Sequence, residues 1–139
     1  MQNDQSADFD WVSAQSTCTA ASVFQSLLAG VQRDVERRNA LAGDSHWRFG
    51  VIEDEHGFEV TRAEAKAFER GDVQALVRFH LESPLINVTG DGVDVDLTIL
   101  TGLNPSGGCR LYVGEAEYAE WEVRKMALEL LFFEEPVDD

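Results

Sequence analysis

The sequence predicts an α+β fold in which an antiparallel sheet of about four to six strands is flanked by a long N-terminal helix and a long C-terminal helix. Three observations support this prediction: apolar residues recur every three or four positions towards each end, they alternate in the middle, and turn residues separate the alternating segments. A chain of 139 residues with 44% hydrophobic content can bury one core. We therefore expect a single domain over residues 1–139, with the polar residues 1–8 disordered.

The first long helix is predicted over residues 16–42, where one apolar stripe has helical spacing. The stripe consists of Ala20, Val23, Phe24, Leu27, Leu28, Val31, Val35 and Leu41. Ser16 or Thr17 is expected to cap the start, and Gly43 follows the end.

Charged side chains of this helix are interpreted structurally. Asp34 and Arg38 are one turn apart, which favours an ion pair. Arg33, Arg37 and Arg38 suit the negative end of the helix dipole, so we interpret them as dipole complements rather than as a binding patch.

A hairpin is predicted next, because the period changes to two and residues 53–57 form a turn. Its apolar positions are Trp47, Phe49, Val51, Phe58 and Val60. Residues 62–70 favour a short helix that ends at Gly71, and a continued strand is the alternative.

Residues 73–81 alternate as a half-buried strand, and a second hairpin joins residues 85–89 to residues 93–100. A type I′ turn at Asp91 and Gly92 would pair Gly90 with Val93. The same register sets Val88 opposite Val95, Ile86 opposite Leu97, Thr89 opposite Asp94 and Asn87 opposite Asp96. One face of the sheet is then apolar and the other is polar.

After a loop over residues 101–108 and a strand over 109–113, a C-terminal helix is predicted over residues 115–134. It has two apolar stripes on opposite sides. One stripe consists of Ala119, Val123, Met126, Leu130 and Phe133, and the other of Tyr118, Trp121, Leu128 and Phe132. Either the N-terminal helix or a second protein chain can pack on the second stripe. Its four residues are the candidate partner-binding set.

The charge balance excludes two classes of partner. Eleven Lys and Arg face 26 Asp and Glu, for a net charge of −15, and most of the acids follow residue 50. Nucleic acids and anionic membranes need clustered cations, so neither is expected to bind. A high-salt habitat or a GC-rich genome is the alternative explanation of the acidity.

One polar cluster is an alternative candidate site. Arg78 and His80 share the polar face of a strand, and Asp94 and Asp96 follow on the neighbouring hairpin. An imidazole beside carboxylates can act as a general acid or base, whereas the structural interpretation is a solvated sheet face. The acids after Gly90 do not have the spacing of a calcium loop, and no cofactor motif is present, so we expect no metal and no cofactor.

Cysteine usage and the N-terminus predict a cytoplasmic protein. Cys18 and Cys109 are too few and too far apart for a disulfide scaffold, so we expect them to be reduced and partly buried. The first residues have neither a basic segment nor an apolar one, and no apolar run is long enough to span a bilayer.

The function predicted from these features is non-enzymatic binding of a protein with a basic or apolar surface, or of a second copy in a homodimer. We expect a protein-binding module of chaperone, adaptor or inhibitor type. The alternative is a small-ligand-binding cup or an enzyme that uses the face of His80, Asp94 and Asp96. In size, acidity and element order the chain resembles the small dimeric chaperones of type III secretion, and equally the acidic immunity proteins of nuclease toxins.

Overall fold

A computed structural model describes residues 8–42, 46–66 and 72–134. The described residues form three helices and seven strands. In chain order they are α1 (Trp11–Thr17), α2 (Ala20–Ala42), β1 (Trp47–Glu53), β2 (Gly57–Glu64), β3 (Ala75–Glu82), β4 (Leu85–Asp91), β5 (Asp96–Leu103), β6 (Cys109–Val113), β7 (Ala116–Tyr118) and α3 (Glu120–Phe133). The α+β class is confirmed, but the sheet has seven strands instead of the predicted four to six.

The seven strands form one antiparallel sheet in the order β1 to β7, so each strand pairs with its neighbours in sequence. α2 and α3 pack on its apolar face. Phe58 stacks on Phe79 with ring centroids 4.6 Å apart, and Phe24 of α2 lies 5.2 Å from Phe58. Phe132 of α3 meets Phe49 edge to face at 4.9 Å. The core therefore lies between one sheet face and two helices.

The N-terminal helical region is broken rather than continuous. α1 ends at Thr17, and Thr19 caps α2, because its hydroxyl accepts a hydrogen bond from the Ser22 N–H at 3.1 Å. The prediction of a cap at Ser16 or Thr17 was therefore wrong. The predicted stripe is buried from Ala20 to Val35 except for the half-buried Leu28, whereas Leu41 is exposed.

Cys18 and Cys109 form a disulfide, so the expectation of reduced cysteines was wrong. Their Cα atoms are 5.4 Å apart, because the break after α1 lies beside the start of β6. Thr101 of β5 donates a hydrogen bond to the Cys18 carbonyl at 3.5 Å. Sequence spacing could not reveal a contact that the sheet topology creates.

Strand β2 continues where a short helix was predicted. It extends to Glu64, which places Arg62 on the same face as Phe58 and Val60. Arg62 is buried, so the alternating pattern continues with a charged residue at an inward position. Residues 67–71 of the predicted helix lie outside the described residues.

The β4–β5 hairpin has a longer loop than predicted. Gly90 donates its backbone N–H to the Val95 carbonyl at 2.8 Å, and Gly92 adopts a positive φ of 85°. Val88 consequently pairs with Leu97, two residues beyond the predicted Val95. Because a shift of two residues preserves side-chain alternation, the prediction of one apolar and one polar face holds even though its register was wrong.

α3 begins at Glu120, five residues later than predicted. The preceding residues pair with β6 as β7, with Tyr118 opposite Leu111, and Glu122 accepts the Ala119 N–H at 2.8 Å. The buried face of α3 takes members of both predicted stripes and consists of Val123, Ala127, Leu128, Leu131 and Phe132. Within the described residues, no helix is both long and apolar enough to cross a membrane.

α2 also covers part of the exposed edge of the sheet. The Asn39 side chain donates to the Phe49 carbonyl at 2.9 Å and accepts the Phe49 N–H at 3.0 Å. β1 is an edge strand, and its unpaired backbone groups could otherwise pair with another chain. Asn39 therefore satisfies both groups of one edge residue.

Candidate binding groove

A groove of about 500 Å³ lies between α2 and α3 and is called the α2–α3 groove. Its apolar lining consists of Leu41, Trp121, Leu128, Phe132 and Phe133. Its charged lining consists of Asp34, Arg37, Arg38, Arg124, Lys125 and Glu129. The lining thus combines large apolar side chains with four cations and two carboxylates.

The apolar lining includes both buried and exposed side chains. Leu128 and Phe132 belong to the core and form the floor. Trp121 is 59% exposed, Phe133 is 69% exposed and Leu41 is 67% exposed. Exposed aromatic side chains next to a buried apolar floor are typical of surfaces that bind partners.

The structure brings together three of the four side chains predicted to bind a partner. Trp121, Leu128 and Phe132 line the α2–α3 groove, whereas Tyr118 is half-buried in β7. Leu41 and Phe133 had been assigned to core-facing stripes in the sequence, so the prediction missed their role as exposed lining. Only the positions of the helix ends distinguish an exposed residue at the end of a stripe from a buried one within it.

The groove follows from the way α2 and α3 lie side by side. Ser26 donates to Glu120 at 2.6 Å near the start of α3, and Arg38 donates to the Phe132 carbonyl near its end. Contacts therefore advance in the same direction along both helices. At the 1.5 Å rise of an α-helix, the lining from Trp121 to Phe133 extends over about 18 Å.

Arg124 holds the two helices together in the middle of the groove. Its guanidinium lies 2.7 Å from Asp34 and 2.8 Å from Glu120. Gly30 of α2 permits this approach, because a Cβ there would lie 2.6 Å from the guanidinium. The predicted pair between Asp34 and Arg38 is therefore wrong, since Asp34 pairs across to α3.

Two arginines converge on the C-terminal end of α3. Arg38 donates to the Phe132 carbonyl through Nε at 3.0 Å and Nη2 at 2.9 Å. Arg62 of β2 donates through Nη1 to the carbonyls of Leu131 at 2.9 Å and Glu134 at 3.2 Å. The last carbonyls of a helix are the negative end of its dipole, so both cations stabilise this end.

The exposed end of the groove is therefore positively charged. The Arg38 guanidinium lies 4.9 Å from the centre of the Phe133 ring, in cation–π geometry. Arg37 has no hydrogen-bond or ion-pair partner among residues 8–42, 46–66 and 72–134. Lys125 pairs with Glu129 at 3.1 Å on the opposite wall.

The alternative polar site lies on the sheet face opposite the helices, and the structure brings only part of it together. Arg78 binds Glu59 through Nε at 3.0 Å and Nη2 at 2.8 Å. Asp94 and Asp96 are exposed. Thr89 of β4 pairs with both Arg78 of β3 and Asp96 of β5, so it lies between them. Because β4 lies between β5 and β3, two interstrand spacings, about 9 to 10 Å, separate Asp96 from β3. His80 has neither aspartate beside it.

His80 contacts a different set of residues near the β1–β2 turn. Its ring centroid is 5.7 Å from that of His56, and Nε2 is 3.7 Å from Glu82. Asp54 accepts the N–H groups of His56 at 2.8 Å and Gly57 at 2.9 Å. The hydrogen bond from His56 is the main cause that lowers the pKa of Asp54, and the charges of His56 and Arg78 add to it.

In the part of the chain that the structure describes, no cluster of three or more His, Cys, Asp or Glu side chains has a geometry that could hold a metal ion. The α2–α3 groove is thus the candidate site with the most complete set of convergent side chains. No family model, curated protein or solved structure matches this chain, so the site is interpreted from its own chemistry alone.

Proposed function

We propose that this protein is a non-enzymatic protein-binding module, of chaperone, adaptor or inhibitor type, and that the α2–α3 groove is its binding surface. One observation carries the proposal. Trp121 and Phe133 are more than half exposed beside the buried side chains of Leu128 and Phe132.

The energetics of such surfaces support this function. Full burial of an aromatic side chain removes 150–250 Å² of surface from water, at roughly 25 cal/mol per Å². Covering the exposed parts of Trp121 and Phe133 would therefore contribute on the order of 5 to 8 kcal/mol before the costs of association are subtracted. That range is sufficient for two anchor residues at the centre of an interface.

The disulfide bears on the compartment in which this binding takes place. Disulfides persist in oxidising environments and are rare in the cytoplasm. The cytoplasmic location therefore stays a prediction that the Cys18–Cys109 bond does not favour. Alkylating the free thiols in cells before lysis, followed by mass analysis of both cysteines, distinguishes the two compartments.

Site-specific photocrosslinking in the native host tests the binding surface. A benzophenone amino acid replaces Trp121 in one variant, and Ile52 in a control variant. Ile52 is 54% exposed on β1 and does not line the groove, so it reports adventitious contact at similar exposure.

The expected result is a discrete adduct from position 121 that is absent from position 52. Adding Phe133→Glu should abolish the adduct, because it places a charge in the apolar lining. Equal adducts from both positions, no adduct from either, or an adduct that survives Phe133→Glu would each overturn the proposed binding surface.

A further inference from the structure

We propose that the occupant of the α2–α3 groove is an acidic amphipathic helix of a partner protein. This inference rests on the proposed function, since it names the partner chemistry of the same groove. The helix inserts a row of apolar side chains between α2 and α3 and presents carboxylates to Arg37 and Arg38.

Charge is the first argument. The chain has a net charge of −15, yet the groove lining has four cations and two carboxylates, a net charge of +2. The surface of the groove is thus opposite in sign to the molecule as a whole. A complementary partner surface would carry acids around its apolar contacts.

The cations that no carboxylate neutralises lie in one part of the groove. Arg124 and Lys125 are paired with carboxylates of the chain, but Arg37 has no partner among the described residues. Arg38 binds a neutral carbonyl, so its charge is not cancelled by a carboxylate there. Both lie on α2 near the exposed Leu41. The carboxylates of the occupant therefore belong beside the C-terminal half of α2.

Shape is the second argument. A volume of about 500 Å³ spread over a length of about 18 Å leaves a mean cross-section of about 28 Å², which is enough for side chains but not for a helix about 10 Å wide. The occupant consequently rests on the exposed Leu41, Trp121 and Phe133 and inserts one row of side chains. About three helical turns span this length, which corresponds to apolar residues at positions i, i+3 or i+4, i+7 and i+11.

A second copy of the chain is a poorer occupant. A two-fold dimer through the groove would place the same surface on both subunits. Both copies would then bring the same net positive lining into the interface, and like charges across an interface oppose association. The electrostatics of the groove favour a different, acidic partner over a symmetric homodimer.

Selection from a peptide library tests the proposal without a known partner. A phage-displayed library of helix-forming 14-residue peptides is selected on the wild-type protein and, in parallel, on the Phe133→Glu variant and on an Arg37→Glu variant. Peptides that depend on Phe133 are expected to be acidic and to have apolar residues at helical spacing. Selection on Arg37→Glu should lose the excess of acids.

Affinity measurements then separate the two levels of the proposal. The most enriched peptide is labelled, and binding is followed by fluorescence anisotropy. Arg37→Gln should weaken binding about five-fold, which is the scale of one exposed ion pair, and more at low salt than at high salt. Arg33→Gln is the matched control, because Arg33 is exposed on the same helix and does not line the groove.

The outcomes are distinguishable. If no peptide depends on Phe133, the groove is not a docking surface and the proposed function fails with the inference. If Phe133-dependent peptides are neutral or basic, or if Arg37→Gln and Arg33→Gln behave alike, only the acidic chemistry is refuted. If light scattering shows a dimer that Phe133→Glu converts to a monomer, the occupant is a second copy and the proposed partner is wrong.

Discussion

Replacing Arg62 by methionine should destabilise the protein strongly, because Arg62 connects β2 to the end of α3 from inside the core. Arg62 is 3% exposed and donates hydrogen bonds to the Gln74 side chain at 2.7 Å and to the carbonyls of Leu131 and Glu134 at the end of α3. Its guanidinium lies 5.0 Å from the centre of the Trp47 ring. Methionine retains the apolar stem but leaves three acceptors without this donor, and one of them, the Leu131 carbonyl, is buried.

The magnitude follows from the cost of those acceptors. A hydrogen bond to a charged group is worth about 1.5 to 3 kcal/mol, and the buried Leu131 carbonyl loses its donor in this variant. We expect a loss of about 3 to 5 kcal/mol in the free energy of unfolding, or a fall in Tm of roughly 10 to 17 °C for a chain of this size. Arg38→Met is the comparison, and its more exposed bonds to one carbonyl should be worth about 1.5 to 3 kcal/mol.

Urea denaturation followed by circular dichroism measures both variants. Arg62→Lys retains the charge with a single donor group and should fall between the wild type and Arg62→Met. A loss below about 1 kcal/mol for Arg62→Met, or a loss smaller than that of Arg38→Met, would refute the claim that Arg62 is the principal support of the α3 C-terminus.

Three further outcomes are expected. Reduction of the Cys18–Cys109 bond should lower the free energy of unfolding by about 4 to 5 kcal/mol in the chain-entropy model, given a sequence separation of 91; denaturation with and without reductant measures it, and an unchanged midpoint contradicts it. Asn39→Ala should lower the free energy of unfolding by about 1.5 to 3 kcal/mol and speed hydrogen exchange at the Phe49 amide. Asn39→Asp retains the acceptor of that amide, so exchange there should be slower than in Asn39→Ala. Asp54 should titrate by NMR below the ordinary pKa of an aspartate. Because the native pKa is lowered, its stabilising contribution is present above the unfolded-state pKa and is lost as the pH falls through the native pKa; Asp54→Asn should flatten this acid limb of the stability curve.

Elements governed by local periodicity could be predicted from the sequence. The stripe of α2, the β1–β2 hairpin and the inward face of β3 depend on side-chain alternation or helical spacing, which the chain itself encodes. The polarity of both faces of β4 and β5 was also predictable, although the loop beyond Gly90 displaced the register by two residues. A shift of two residues keeps each side chain on the same face of the sheet, but it changes which residues are paired.

Features created by tertiary contact could not be predicted. Arg62 stands in an inward strand position because α3 ends above it, and no local pattern distinguishes that position from a helix start. The pairing of Cys18 with Cys109 depends on where the sheet brings β6. In the groove, the sequence placed Trp121 on an apolar stripe that had no evident cover, and the structure leaves it exposed; its companions Leu41 and Phe133 are exposed at the ends of the two helices.

The bond between Cys18 and Cys109 closes a covalent ring that contains α2 and β1 through β5 and leaves α3 outside it. α3 is joined to that ring by a short run of chain and otherwise by its packing and by the arginines at its end. It can therefore detach from the sheet as a unit while the ring stays closed, in the manner of a local unfolding event. Detachment of α3 would expose the buried sides of Leu128 and Phe132. The depth of the binding surface therefore depends on the free energy that holds α3 against the sheet.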